Sequence, residues 1–171
     1  MSRYCKSGWV GALLVLVAGV AVAGTATTTF GVSVTVNSNC LVSAANLAFP
    51  NYTPAGGNQT ANTTVSVRCT KGSPFTVALN AGTTAGGSFA QRLMSNGAGQ
   101  TVEYNLYTVS NFATVWGDGT AGTSTVAGTG AGVAAGNAIS ETVYGELVDS
   151  AANQGVPPGN YTDTITVTVS Y

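Results

Sequence analysis

The sequence predicts an all-β fold, either a sandwich or a barrel. Short stretches in which large apolar residues alternate with small polar ones recur along the chain, and turn-forming Gly, Pro, Asn and Asp separate them. Beyond the N-terminal apolar stretch, no segment has the apolar period of a helix. Only 6% of the residues are charged, far below the usual share in soluble domains. This composition is typical of secreted β-proteins and fibrous assemblies.

The segment Met1–Ala23 is predicted to be a cleaved secretory signal peptide. Two cationic residues precede a short apolar run, Val10–Val20, and Ala21–Ala23 has the small-x-small form of a signal-peptidase site. A membrane anchor is the alternative, but the run is shorter than the roughly 20 residues that span a bilayer. The mature chain is expected to begin at Gly24, with Ala26 as the second choice.

The cysteines fit an exported protein. Cys5 leaves with the signal peptide, and Cys40 and Cys69 remain as an even pair for an oxidising compartment. A bridge between them would close a loop of about 30 residues and stabilise the fold by roughly 3–4 kcal/mol in the chain-entropy model. A zinc site would need more ligands, and a redox pair would normally be closer in sequence. We therefore expect a disulfide.

The predicted strands follow one another at short intervals. The first alternating segment, Thr29–Val36, places four apolar residues on one face. A short apolar step at Leu47 and Phe49 follows. The later strands are predicted at residues 63–69, 75–80, 102–109, 142–148 and 161–171. The low-complexity stretch Gly117–Ser140 is expected to be an extended edge segment with a long loop.

The C-terminal strand has the clearest pattern. Its large apolar residues are Tyr161, Ile165, Val167, Val169 and Tyr171. A strand with one apolar face normally has neighbours on both sides, yet no later segment can supply one. We therefore expect an apolar groove that a strand from another molecule fills, as in the β-strand addition of pilins.

The segment Thr29–Val36 has the properties of such a donated strand. It is extended and alternating, and cleavage of the signal peptide would leave it near a free end. Its candidate anchors are Phe30, Val32, Val34 and Val36. The residues alone leave open whether this segment is donated or is the first strand of its own domain.

No constellation for catalysis, cofactor binding or metal binding is apparent. The chain has no histidine, and the carboxylates of the mature part are scattered. Asp118, between two glycines, is expected in a turn rather than in a calcium loop. The net charge of −1, without a basic patch, argues against nucleic-acid binding. We expect neither an enzyme nor a cofactor, and the low charge favours self-association.

Several longer motifs keep a fixed order along the mature chain. They are NCLVSAANLAFPNY, TTVSVRCTKGSPFTVALNAG, QRLMSN, VEYNLY, VWGDGT, TVYGEL and VPPGNYTDTITVTVSY. This order resembles that of the spore coat protein U domain family, which includes the subunits of archaic chaperone–usher pili. The resemblance covers essentially the whole mature chain. One departure is Phe49-Pro50 in place of the usual Phe-Gly, which puts the local turn in doubt.

The resemblance implies an incomplete immunoglobulin-like β-sandwich of the pilin type, which lacks its final strand and is completed by a donor strand from another subunit. It divides the chain into a signal peptide (1–23), a donor segment (24–36) and a pilin domain (37–171). It places the family's cysteine pair on Cys40 and Cys69, and it strengthens the donor interpretation of Thr29–Val36. The implied partners are identical or related subunits, a periplasmic chaperone that binds the C-terminal strand, and an outer-membrane usher. The implied product is a surface fimbrium that supports adhesion and biofilm formation.

Two other functions remain open from the sequence. The chain could be a self-contained secreted spore coat or matrix protein that completes its own sheet, or, less in keeping with its length, a tip adhesin. For single residues, we expect Tyr104 and Trp116 in core or edge packing. We expect Arg92 to pair with a carboxylate, with Glu103 and Asp163 as candidates.

Overall fold

The computed structural model describes residues 19–20 and 22–171. The predicted signal peptide lies almost wholly outside these residues. The chain divides into an N-terminal unit that ends at Thr35 and a domain, Val36–Tyr171. In the described part of the chain, no helix is long and apolar enough to cross a membrane.

The domain consists of two antiparallel sheets, which confirms the all-β prediction. Its strands are β1 (Cys40–Ala44), β2 (Gln59–Cys69), β3 (Pro74–Leu79), β4 (Arg92–Ser95), β5 (Thr101–Tyr107), β6 (Val126–Thr129), β7 (Ile139–Leu147) and β8 (Val167–Ser170). The larger sheet has the order β1-β2-β7-β5-β4, and the smaller has the order β6-β3-β8. A single-turn helix, α1 (Ala151–Gln154), and a 3-10 turn (Ala135–Asn137) are the helical elements of the described residues.

The core lies between the sheets because the strands alternate in burial, as the period of two requires. Every second residue is buried in β3 and in the last five residues of β2. The buried apolar residues are Val65, Val67, Cys69, Phe75, Val77, Leu79, Val102, Tyr104, Leu106, Trp116, Val143 and Leu147. Trp116 and Tyr104 are thus core residues, as predicted, and the indole N–H of Trp116 donates to the carbonyl of Val77 at 3.0 Å.

The predicted disulfide is present. Cys40 begins β1 and lies opposite Cys69, the last residue of β2, and their sulfur atoms are bonded. The bridge therefore fastens the edge strand of the larger sheet to its neighbour at the point where the chain enters the domain.

Arg92 does not pair with a carboxylate, so that expectation is wrong. Its side chain is 0% exposed and makes four hydrogen bonds. The guanidinium donates twice to the carbonyl of Asn80, once to the carbonyl of Trp116 at 2.7 Å and once to Asn105 Oδ1 at 2.6 Å. Burial lowers the pKa of Arg92, and the ring of acceptors satisfies the guanidinium in place of water. Arg92, the first residue of β4, thus connects the end of β3, the strand β5 and the loop that follows β5.

Two other differences concern strand boundaries. The strands β1 and β4 were not predicted as separate elements because each is only four or five residues long. The predicted strand at 161–171 pairs as β8 only from Val167. Within Gly117–Ser140 the edge strand β6 and a long loop are both present, as expected. Asp118 lies in a turn and accepts the backbone N–H of Thr120 at 2.9 Å.

Candidate functional site

The C-terminal strand β8 pairs with β3 on one side, and no described residue pairs with its other side. The N–H of Asn80 donates to the carbonyl of Thr166 at 3.1 Å. Because hydrogen-bonded positions alternate along an antiparallel pair, Thr168 also directs its backbone groups to β3. The N–H and C=O groups of Val167 and Val169 therefore point away from β3. A further strand could form hydrogen bonds with them.

A groove with a volume of about 620 Å³ lies beside this strand. Residues 44–49, which include the end of β1, line one part of it, and residues 161–165 with Val167 line another. Buried side chains of the two sheets also line it: Val65, Leu79, Tyr104, Leu106 and Val143. These side chains belong to the core and form the floor of the groove. The groove therefore lies along the side of β8 that no described strand pairs with.

The wall that follows β1 is held against the larger sheet by close packing over a glycine. A Cβ atom on Gly145 would lie 2.9 Å from Leu47 Cδ1 and 3.0 Å from Phe49 Cζ, so a side chain there would push both residues away. The ring of Phe49 also packs edge-on against Tyr104, with 6.1 Å between the ring centroids. The side chain missing at Gly145 thus lets this wall approach β7.

The second wall of the groove, which we call the C-terminal wall, consists of residues 161–165 and Val167. It crosses from the larger sheet to the smaller one. Thr162 pairs with Ser95 of β4 through two backbone hydrogen bonds of 2.8 and 2.9 Å. Four residues later, the N–H of Thr166 donates to Asn80 Oδ1 at 2.9 Å, and β8 begins. These contacts fasten the wall to both sheets, and within residues 22–171 no strand lies along its groove side.

Asp163 fixes the middle of this crossing. Its Oδ1 accepts the backbone N–H groups of Thr83 and Thr84 at 2.9 and 3.1 Å, and its Oδ2 accepts the hydroxyl of Tyr104 at 2.7 Å. Burial by itself raises the pKa of Asp163, but these hydrogen bonds outweigh burial, and the pKa lies below its ordinary value. Burial and the neighbouring carboxylate raise the pKa of Tyr104. At neutral pH, therefore, Asp163 is charged and Tyr104 keeps its proton.

The structure places three of the five predicted groove-strand residues in the groove. Tyr161, Ile165 and Val167 line it. Val169 is half-buried and continues the same face of β8, and Tyr171 is 60% exposed. Whether these residues bind a chaperone or a donated strand stays a prediction.

The four predicted donor anchors are exposed. The exposed fraction is 87% for Phe30, 85% for Val32, 87% for Val34 and 77% for Val36. None of the described residues before Cys40 belongs to a strand or helix. The role of these side chains as anchors, and the boundary of a donor segment at residues 24–36, stay predictions.

Other lining residues were not assigned to the groove from the sequence. Leu47 and Phe49 gave a signal, the short apolar step, but periodicity does not reveal which strand such a step faces. Met94 lies in a four-residue strand, too short to show a period. The place of Leu47 and Phe49 in the groove follows from the way the chain returns between β1 and β2, and the place of Met94 follows from the pairing of β4 with β5.

A second polar cluster holds the loop at residues 52–57, which follows the groove wall formed by residues 44–49. The hydroxyl of Tyr52 donates to Asp149 Oδ1 at 2.5 Å, and the N–H of Gly57 donates to Asp149 Oδ2 at 2.9 Å. Burial and the carboxylate raise the pKa of Tyr52 to about 12, and these hydrogen bonds lower the pKa of Asp149. In the described ranges, no three His, Cys, Asp or Glu side chains are grouped for a metal ion.

Comparisons with known proteins agree with this fold. A family model described as Spore Coat Protein U domain matches residues 26–168. The fold matches a chain in the crystal structure of the CsuC–CsuE chaperone–tip adhesion subunit pre-assembly complex from archaic chaperone–usher Csu pili of Acinetobacter baumannii, with a TM-score of 0.55 and 21% identity. The match covers 80% of the present chain and 41% of that chain, so the present chain spans less than half of its length. This likeness shows the fold alone, and no curated protein sequence matches significantly.

Proposed function

Because the chain belongs to the Spore Coat Protein U domain family, we propose that it is a structural subunit of an archaic chaperone–usher pilus. Subunits polymerise by donor-strand complementation: residues 24–36 of one subunit enter the groove of the pilin domain, residues 37–171, of the next. The open side of β8, above an apolar groove of about 620 Å³, carries this proposal.

The donor anchors match the groove in spacing and in chemistry. Phe30, Val32, Val34 and Val36 recur every second residue, as do Ile165, Val167 and Val169 on the groove side of the C-terminal wall. The anchors are largely exposed, so almost all of their apolar surface is available for burial. At about 1.5–3 kcal/mol per large apolar side chain, four anchors would contribute roughly 6–12 kcal/mol before the cost of ordering the segment. A joint of this strength suits a durable fibre.

The same groove gives the subunit its partners before assembly. A pilin with an open apolar groove is an aggregation hazard. In the proposed route, a periplasmic chaperone fills the groove with one of its own strands, and the next subunit replaces that strand at an outer-membrane usher. The product is a fimbrium of identical or related subunits on the cell surface that supports adhesion and biofilm formation. The proposed role is structural rather than enzymatic.

The test compares thermal unfolding and molar mass of matched proteins with the disulfide oxidised. One is Asn37–Tyr171, and a second carries Thr25–Val36 appended after Tyr171 through a short flexible linker. A control carries the same appended segment with Val32→Asp and Val34→Asp. We expect the appended segment to turn an unstable or aggregating domain into a stable monomer, and the control segment to have no such effect.

The outcomes separate the candidate functions. If Asn37–Tyr171 is as stable without the segment, and Gly24–Tyr171 is a stable monomer, the protein is a self-contained coat or matrix protein instead. If the wild-type and control segments stabilise equally, the anchors do not bind the groove. For the adhesive role, deletion of the encoding gene should reduce biofilm formation, and an unchanged biofilm would refute that part.

A further inference from the structure

We propose that consecutive subunits also meet through oppositely charged ends of the domain. Arg68 and Lys71 of one copy face Glu103, Glu146 and Asp149 of the copy that accepts its N-terminal segment. This inference rests on the proposed strand donation, and it concerns a contact outside the groove.

The cations are gathered at one end of the domain. After the predicted signal peptide the sequence has three cationic residues, and Arg92 is completely buried. Arg68 lies near the end of β2, and Lys71 is exposed in the turn that follows. At this end Cys69 is opposite Cys40, so both cations lie where the N-terminal segment joins the domain. We call this the linker end.

Three carboxylates are gathered at the other end. Glu146 and Asp149 lie at and just after the end of β7, which pairs with the start of β2. The eleven residues of β2 separate the two ends, roughly 33 Å at about 3.3 Å per residue. The hydroxyl of Ser150 donates to Glu103 Oε2 at 3.2 Å and so places Glu103 at this end too. A surface cavity of about 350 Å³ is lined by Glu103 and Glu146. We call this the acidic end.

The groove runs from the acidic end to the linker end. Thr162 pairs with Ser95, which pairs with Thr101, two residues before Glu103. At the far end of β8, Ser170 lies beside the start of β3, just after the linker-end turn. The direction of β8 is thus fixed relative to the two charged ends.

This direction decides which ends of neighbouring subunits meet. Every pair of strands in the domain is antiparallel, and antiparallel pairing is slightly the stronger kind. A donated strand antiparallel to β8 leaves the groove at the acidic end. Only residues 37–39 then separate Val36 from Cys40, a span of about 10–14 Å at full extension. A parallel strand would instead bring two linker ends together, with like charges facing.

The opposite charges act mainly on orientation and on the rate of association. Exposed ion pairs contribute little to stability, and salt screens them. Complementary charge accelerates encounter and disfavours the wrong orientation. The contact would therefore speed polymerisation at low salt and add little to the strength of the finished joint.

Charge reversal in the mature chain Gly24–Tyr171 tests the inference. The chain is refolded by dilution with its disulfide intact, and polymerisation is followed by light scattering at about 0.02 M and about 0.5 M salt, where the screening length falls severalfold. We expect Lys71→Glu and Glu146→Lys each to slow polymerisation severalfold at low salt only. A chain reversed at both ends, with Arg68→Glu, Lys71→Glu, Glu103→Lys and Glu146→Lys, should recover, because its linker end is then negative and its acidic end positive.

A matched pair controls for net charge. Lys71→Gln and Thr142→Glu each lower the net charge by one, and Thr142 is exposed in the middle of β7. Only Lys71→Gln should slow assembly. Unchanged rates, slowing that persists at high salt, or no recovery in the chain reversed at both ends would each overturn the charged contact while leaving strand donation intact. If the wild-type chain does not polymerise at all, strand donation fails, and this contact with it.

Discussion

Replacing the buried guanidinium is expected to destabilise the domain: Arg92→Met should lower the free energy of unfolding by about 2–5 kcal/mol. Among the described residues, the substitution leaves the carbonyls of Asn80 and Trp116 without a donor, whereas Oδ1 of Asn105 still accepts the N–H of Leu106 at 2.9 Å. A buried acceptor left without a donor costs about 1–3 kcal/mol. Part of this cost is offset because methionine keeps much of the side-chain volume and removes a desolvated charge.

This effect is measured by urea unfolding of the strand-complemented domain, which is Asn37–Tyr171 with Thr25–Val36 appended after Tyr171. With a slope of about 1–3 kcal/mol per molar urea, the midpoint should fall by about 2 M. Lys71→Met is the matched control, since it removes an exposed cation and should change stability by at most about 0.5 kcal/mol. An Arg92→Met midpoint equal to that of the control would refute the reasoning, because the hydrogen bonds would then only balance the cost of burying the charge.

Three further predictions concern the disulfide, the donor segment and pH. Mutating Cys40 and Cys69 to serine should cost about 3–4 kcal/mol in the same urea experiment, and an unchanged midpoint would show that the bridge does not constrain the unfolded chain. Val34→Asp in the mature chain Gly24–Tyr171 should abolish polymers in size-exclusion chromatography, because a charged side chain would enter the apolar groove; polymers of normal length would contradict the anchor role. The pKa of Asp163 is lowered in the folded state, so its contribution to stability is present above about pH 4, the ordinary pKa, and is lost as the pH falls through the folded value. With Asp163→Asn, the free energy of unfolding should therefore fall less steeply as the pH drops below about 4. A fall as steep as that of the wild type would contradict this assignment.

Much of the sandwich could be predicted because its strands carry their own pattern. The segments at β2, β3, β5 and β7 alternate between apolar and polar residues, and each is long enough for the period of two to show. The short strands β1 and β4 show no such period, since pairing with a long neighbour defines them. Arg92 illustrates the same limit, because its partners are carbonyls that carry no sequence signal.

The residues of the candidate site divide along the same line. The alternation at Ile165, Val167 and Val169, the matching alternation of the exposed N-terminal anchors and the cysteine pair were determined by the sequence alone, because each depends on side-chain chemistry at fixed spacing. Only the tertiary structure decided that β8 pairs with β3 alone among the described strands, that Leu47 and Phe49 pack over Gly145 as one wall of the groove, and that Asp163 holds the crossing wall. The reason is physical: side-chain period specifies which face of a strand is buried, whereas the order of strands in a sheet depends on long-range backbone pairing, which local sequence does not encode.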